Sequence, residues 1–105
     1  MRRTEQVNEL IAHHAADFLA RESNHESLIT VTRSDMSSDL KNVLILISVL
    51  PESQAEKALA FTKRVRTDFR DYLKAHTKLH PIPTVDFQID LGEKNRQRVD
   101  ELTRK

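Results

Sequence analysis

The sequence predicts an α+β domain, a three-stranded sheet packed on one side by helices. Three observations carry that prediction. Apolar residues recur with helical spacing over about residues 4–21 and again from about residue 55. Two apolar, β-branched runs lie close together at 28–33 and 42–50, and strict alternation returns at 84–90 behind two prolines. With 105 residues, 38% hydrophobic and 31% charged, the chain suits one modest core, and a single domain over 1–105 is expected, with 91–105 a peripheral C-terminal segment.

In the first element Val7, Leu10, Ile11, Ala15, Phe18 and Leu19 fall three and four apart and mark one face of an amphipathic helix. Glu5 and Glu9 suit its positive end and Arg21 its negative end. Leu28-Ile29-Thr30-Val31-Thr32-Arg33 reads as a strand, and Ser34 to Asp39 as a connection rich in turn-forming side chains. Asn42 to Leu50 (NVLILISVL) is the most apolar run and suits a central strand ended by Pro51. The short link makes an antiparallel hairpin the economical pairing.

From Pro51 the period is helical again, through Ala58, Leu59, Phe61, Val65, Phe69, Tyr72, Leu73 and on to Leu79. That length exceeds an ordinary globular helix, so an interruption is expected, and Val65-Arg66-Thr67 is the candidate, with Thr67 as a cap for the second half. Pro81 and Pro83 enforce an extended entry into Thr84 to Asp90, where Val85, Phe87 and Ile89 face one way and Asp86, Gln88 and Asp90 face solvent. Asn95 to Arg104 is expected to form a short polar helix carrying Val99 and Leu102.

Composition narrows the chemistry. The absence of cysteine excludes disulfides, thiol nucleophiles and cysteine metal sites, and Gly92 alone cannot make a glycine-rich phosphate loop. Without Trp and with a single Tyr, a run of base-stacking platforms is difficult to build. No stretch approaches the roughly 20 apolar residues that span a bilayer, and the basic N-terminal pair has no apolar run behind it. His76 and His80 are four apart but lack a third ligand, and no His, Cys or glycine-rich loop accompanies Asp35 and Asp39. Neither an enzyme nor a metal or cofactor site is expected.

Charge is segregated. The net total is +1, but residues 57–80 hold seven basic and two acidic residues, a net of +5. Such a block can hold an anionic polymer through phosphate contacts that weaken with salt, or it can merely solvate a helix. The candidates are Lys63, Arg64, Arg66, Arg70, Lys74 and Lys78.

Four places resemble the ribosome-binding factor A family. They are the helix over Arg3 to Leu19, the stretch Leu28-Ile29-Thr30-Val31-Thr32-Arg33 leading through Ser38-Asp39-Leu40-Lys41, the following strand with Ser48-Val49, and Ile82-Pro83-Thr84-Val85-Asp86-Phe87 with the segment Asp90 to Leu102. The resemblance spans essentially the whole chain. It implies a type II KH-like fold in which two helices meet at a kink, placed here by position at Val65-Arg66-Thr67, where the family's glycine is missing. It also implies a non-catalytic, cytoplasmic protein, expected as a monomer, that binds the immature small (30S) ribosomal subunit at 16S rRNA and assists its maturation. The partners expected are that subunit and its rRNA, with no membrane and no small-molecule substrate, and Lys63, Arg64, Arg66, Arg70, Lys74 and Lys78 are the residues expected to touch RNA. The alternative is a KH-like protein-interaction or structural domain without specific RNA binding. The two part on whether Lys63, Arg64, Arg66, Arg70 and Lys74 form one contiguous surface.

Overall fold

The computed structural model describes residues 3–23 and 25–92. The elements run α1 (Arg3–Glu22), β1 (Leu28–Met36), β2 (Asn42–Leu50), a 3-10 turn (Glu52–Gln54), α2 (Ala55–Arg64), α3 (Arg66–His76) and β3 (Thr84–Ile89). The expected C-terminal helix over residues 95–104, and the peripheral segment beyond residue 92, lie outside the described residues.

The sheet has the order β1-β2-β3. β1 and β2 form the expected antiparallel hairpin, whereas β3 lies parallel to β2, with Asn42 opposite Thr84 and Ile47 opposite Ile89. A parallel neighbour requires a crossover, which α2 and α3 supply. The order α-β-β-α-α-β with this pairing is the type II KH-like arrangement.

One face of the sheet holds the core. Val43, Ile45, Ile47 and Val49 of β2 and Val85 and Phe87 of β3 pack against Ile11, Ala15, Phe18 and Leu19 of α1, Ala58 of α2, and Phe69 and Leu73 of α3. Phe69 centres an aromatic cluster, with ring centroids 5.3 Å from Phe18, 6.1 Å from Phe87 and 6.3 Å from Tyr72. Leu10, counted above on the apolar face of α1, is exposed.

Two boundaries differ from the sequence reading. β1 continues past Arg33 to Met36 because the register shifts between Val31 and Arg33, leaving Thr32 as a bulge. The extra residue resets the alternation, so Ser34 turns inward, and its buried hydroxyl donates to the Asn8 carbonyl of α1 at 2.7 Å. A segment that reads as a polar connection is thereby a strand with a satisfied core hydroxyl. The second helical region ends at His76, and Leu79 packs on the core from the loop that follows.

At the α1–α3 junction the His14 ring lies edge-on to Tyr72 (5.8 Å) and 6.2 Å from His76, which stacks on Tyr72 at 4.0 Å. Nδ1 of His14 is buried with no hydrogen-bond partner. Burial lowers the proton affinity of His14, the neighbouring His13 and His76 lower it further, and Asp17 opposes them. A depressed base binds its proton more readily in the unfolded chain, so stability is lost as pH falls below about 6.5. Urea unfolding at pH 7.5 and 5.5 should show a lower midpoint at pH 5.5, and His14→Gln should flatten that difference.

Candidate nucleic-acid interface

The two crossover helices meet at Val65. α2 ends at Arg64 and α3 begins at Arg66, and Val65 between them takes φ −99° and ψ 7°. That conformation is open to any L-residue, so the turn requires no glycine. Hydrogen bonding is preserved across it, since the Val65 N–H donates to the Phe61 carbonyl (3.1 Å) and the Val65 carbonyl accepts from the Phe69 N–H (2.9 Å). Thr67 lies inside α3 and makes no cap, a correction to the sequence reading; Val65 occupies the cap position without a side-chain bond.

β3 ties both helices down. Asp86 Oδ1 accepts from Lys63 Nζ of α2 at 2.9 Å, from Arg66 Nη1 of α3 at 3.3 Å and from the Phe87 N–H at 2.9 Å. Alternation places Asp86 toward solvent; its side chain is 42% exposed, yet it joins the two sides of the break. Burial alone would raise the Asp86 carboxyl, but the hydrogen bonds from Lys63 and Phe87 and the charges of Lys63 and Arg66 outweigh it and hold it below the ordinary carboxylate value. Ion pairs this exposed stabilise by less than about 1 kcal/mol each, so their effect is orientation rather than stability. Arg70 is anchored differently, donating from Nε to the Pro83 carbonyl (3.0 Å) and from Nη2 to that of Ile82 (3.3 Å) at the entry to β3.

The six candidate cations therefore divide. Lys63, Arg66 and Arg70 are gathered along β3, an edge strand of the sheet. Lys74 continues the four-residue stripe of Arg66 and Arg70 along α3. Arg64 instead lines a cleft of about 350 Å³ with Lys57, Phe61, Glu22, Glu26 and Ile29. Lys78 lies beyond α3 and lines a cleft with Lys41 and His80 beside the β1–β2 turn. All six are exposed. Among the described residues no three His, Asp or Glu side chains converge as a metal site would need, and no helix is long and apolar enough to cross a membrane.

The sequence profile of ribosome-binding factor A matches residues 3–103. The chain belongs to the ribosome-binding factor A family. Ribosome-binding factor A of Latilactobacillus sakei subsp. sakei (strain 23K) is 33% identical over 79 residues, covering 73% of this chain and 67% of that protein. The crystal structure of ribosome-binding factor A from Thermus thermophilus superposes with a TM-score of 0.72 at 18% identity, over 84% of this chain and 97% of that one. A homology model of the Thermus thermophilus factor, fitted into the cryo-EM map of a complex of 30S with that factor, gives a TM-score of 0.70 at 17% identity, over 79% of this chain and 90% of that one. These likenesses establish a shared fold.

Within the family fold, this chain bends its crossover at a valine and braces the bend with Asp86 and Arg70. Neither brace was visible in the sequence, because each joins residues more than ten positions apart. The basic block signalled the cations, but no local pattern marked the acid that collects two of them.

Proposed function

We propose that this protein is a non-catalytic assembly factor that binds the immature small ribosomal subunit through 16S rRNA and assists its maturation. The observation that carries the reading is the family match over residues 3–103. The Thermus thermophilus relative fitted into the map of a 30S complex supports the partner. In this reading the single domain works in the cytoplasm as a monomer.

The cations along β3 and α3 supply a physical means. A-form RNA exposes phosphates and shape more readily than base edges, so a stripe of exposed cations on rigid elements holds it without reading sequence. We assign the RNA contact to Lys63, Arg66, Arg70 and Lys74, with Arg64 and Lys78 touching it from either end. The kink at Val65 sets the angle between the α2 cations, Lys63 and Arg64, and the α3 cations, Arg66, Arg70 and Lys74.

The test is co-sedimentation with purified mature and immature small subunits across a salt series. Saturable binding that falls with salt and favours immature particles is expected. Failure to bind either particle even at about 50 mM salt, where phosphate contacts are strong, overturns the reading.

A further inference from the structure

The turn joining β1 and β2 belongs to the stretch that carries the family resemblance, yet the cationic edge makes no use of it. Its backbone is built around two side chains. The Ser37 hydroxyl donates to Asp39 Oδ1 and accepts from the Asn42 N–H at 3.1 Å, and the Lys41 N–H donates to the same Asp39 oxygen at 3.0 Å. Leu40, at the tip, has φ 62°, a left-handed conformation that costs a leucine energy. Strain of this kind persists where the surrounding structure holds it in place, and the half-buried Leu40 lines a cleft.

That cleft, about 290 Å³, lies between the turn, the start of α1 and the loop before β3. Val7, Met36, Leu40 and Leu79 supply apolar walls, with Pro83 beside them. Lys41, Lys78 and His80 line the same cleft and are exposed. Asp39 also borders it, with Oδ1 taken by the two internal bonds and Oδ2 bonded to no other described residue. The hydrogen bonds from Ser37 and the Lys41 N–H hold the Asp39 carboxyl below its ordinary value, and as an exposed carboxylate at neutral pH it offers Oδ2 only as an acceptor.

We propose that this cleft receives one unstacked nucleobase of single-stranded RNA, selected for an exocyclic amino group. The proposal rests on the RNA-binding reading above and adds a second, base-specific contact to it. The apolar walls take the faces of the base, and the His80 imidazole provides a ring for stacking, as unpaired RNA bases require. Lys41 and Lys78 meet the flanking phosphates. Asp39 Oδ2 accepts from the amino group of cytosine, adenine or guanine, whereas the O4 of uracil would face it as a second acceptor. Cytosine and uracil are alike in size, so this pair isolates the carboxylate.

The experiment uses the full chain labelled at methyl groups and backbone amides, titrated by NMR with the hexamers r(C)6 and r(U)6. Shifts of the Val7, Leu40, Leu79 and Met36 methyls, with r(C)6 bound at least fivefold more tightly than r(U)6, are expected. Asp39→Asn, which can still accept from Ser37 and Lys41 but presents an amide, should lose that preference; Leu79→Ala, with folding checked by circular dichroism, should weaken both hexamers. Equal binding of the two hexamers, or shifts confined to α2 and α3, overturns the base site. If neither hexamer binds while small subunits still pellet with the protein, the base site falls and the ribosomal reading stands. Loss of both removes both.

Discussion

Replacing Lys63, Arg66 and Lys74 together by glutamine is expected to weaken binding to the small subunit by on the order of a thousandfold at low salt. Each charge-assisted contact to phosphate contributes on the order of a factor of ten or more. The log–log salt dependence should flatten by about 2 to 3, close to one for each phosphate contact removed. The choice of residues follows from the geometry. Arg70 is left in place because it holds the Pro83 and Ile82 carbonyls, so its loss would disturb the entry to β3 as well as the charge. Asp86 loses both cationic donors in this variant and keeps only the Phe87 N–H, so its charge is no longer neutralised on that edge, which adds repulsion. Asp86→Asn alone should act in the opposite direction, tightening binding, because it frees Lys63 and Arg66 from a competing anion. Co-sedimentation across salt concentrations reads both effects, with circular dichroism confirming the fold. Native-like binding by the triple variant would show that this edge does not face the RNA.

The largest effect on stability is expected at Phe69. Its ring is fully buried where α1, α3 and β3 meet, in contact with Phe18, Tyr72 and Phe87. Phe69→Ala removes the ring and leaves a cavity that aromatic neighbours on three elements cannot easily fill. The cost is about 3–5 kcal/mol, a large fraction of the 5–15 kcal/mol typical of a whole domain. At an m-value of about 2 kcal/mol/M the urea midpoint should fall by roughly 2 M. The predicted loss exceeds anything expected from the surface ion pairs, which is why the core, and not the Asp86 clamp, sets stability. A midpoint shift below about 0.5 M would mean the cluster collapses around the gap.

Much of this architecture was legible in the residue pattern. The amphipathic period of α1, the apolar run of β2 and the alternation of β3 each report a face turned toward the core, and a face is a local property. The end of β1 was not legible, because a single bulge at Thr32 shifts the phase of every side chain after it. The crossover break fell within the expected three residues, yet Thr67 was the wrong cap: Val65 bends the chain through a conformation that leaves no mark in residue type. The site was legible only as composition. A basic block shows that cations are abundant, but the pairing of Lys63 and Arg66 on Asp86, and the separation of Arg64 and Lys78 from them, depend on where α2 and α3 cross β3. The approach of His14 to Tyr72 and His76 depends likewise on how α1 meets α3.

The sheet joins one pair of strands that are neighbours in sequence to one pair that is distant. β1 and β2 meet through a turn of a few residues, whereas β3 reaches β2 only after residues 51–83 have crossed over. Closing the longer loop costs more entropy before any contact repays it, so the parallel ladder is the costlier pairing to form. Asp86, Pro83 and the His80 side of the cleft all lie on or just before β3. Without β3 docked, the hairpin and α1 alone would have no aligned cations and no closed cleft. The surface assigned to RNA therefore depends on the one strand pairing that is distant in sequence, and a chain that loses that pairing loses the surface with it.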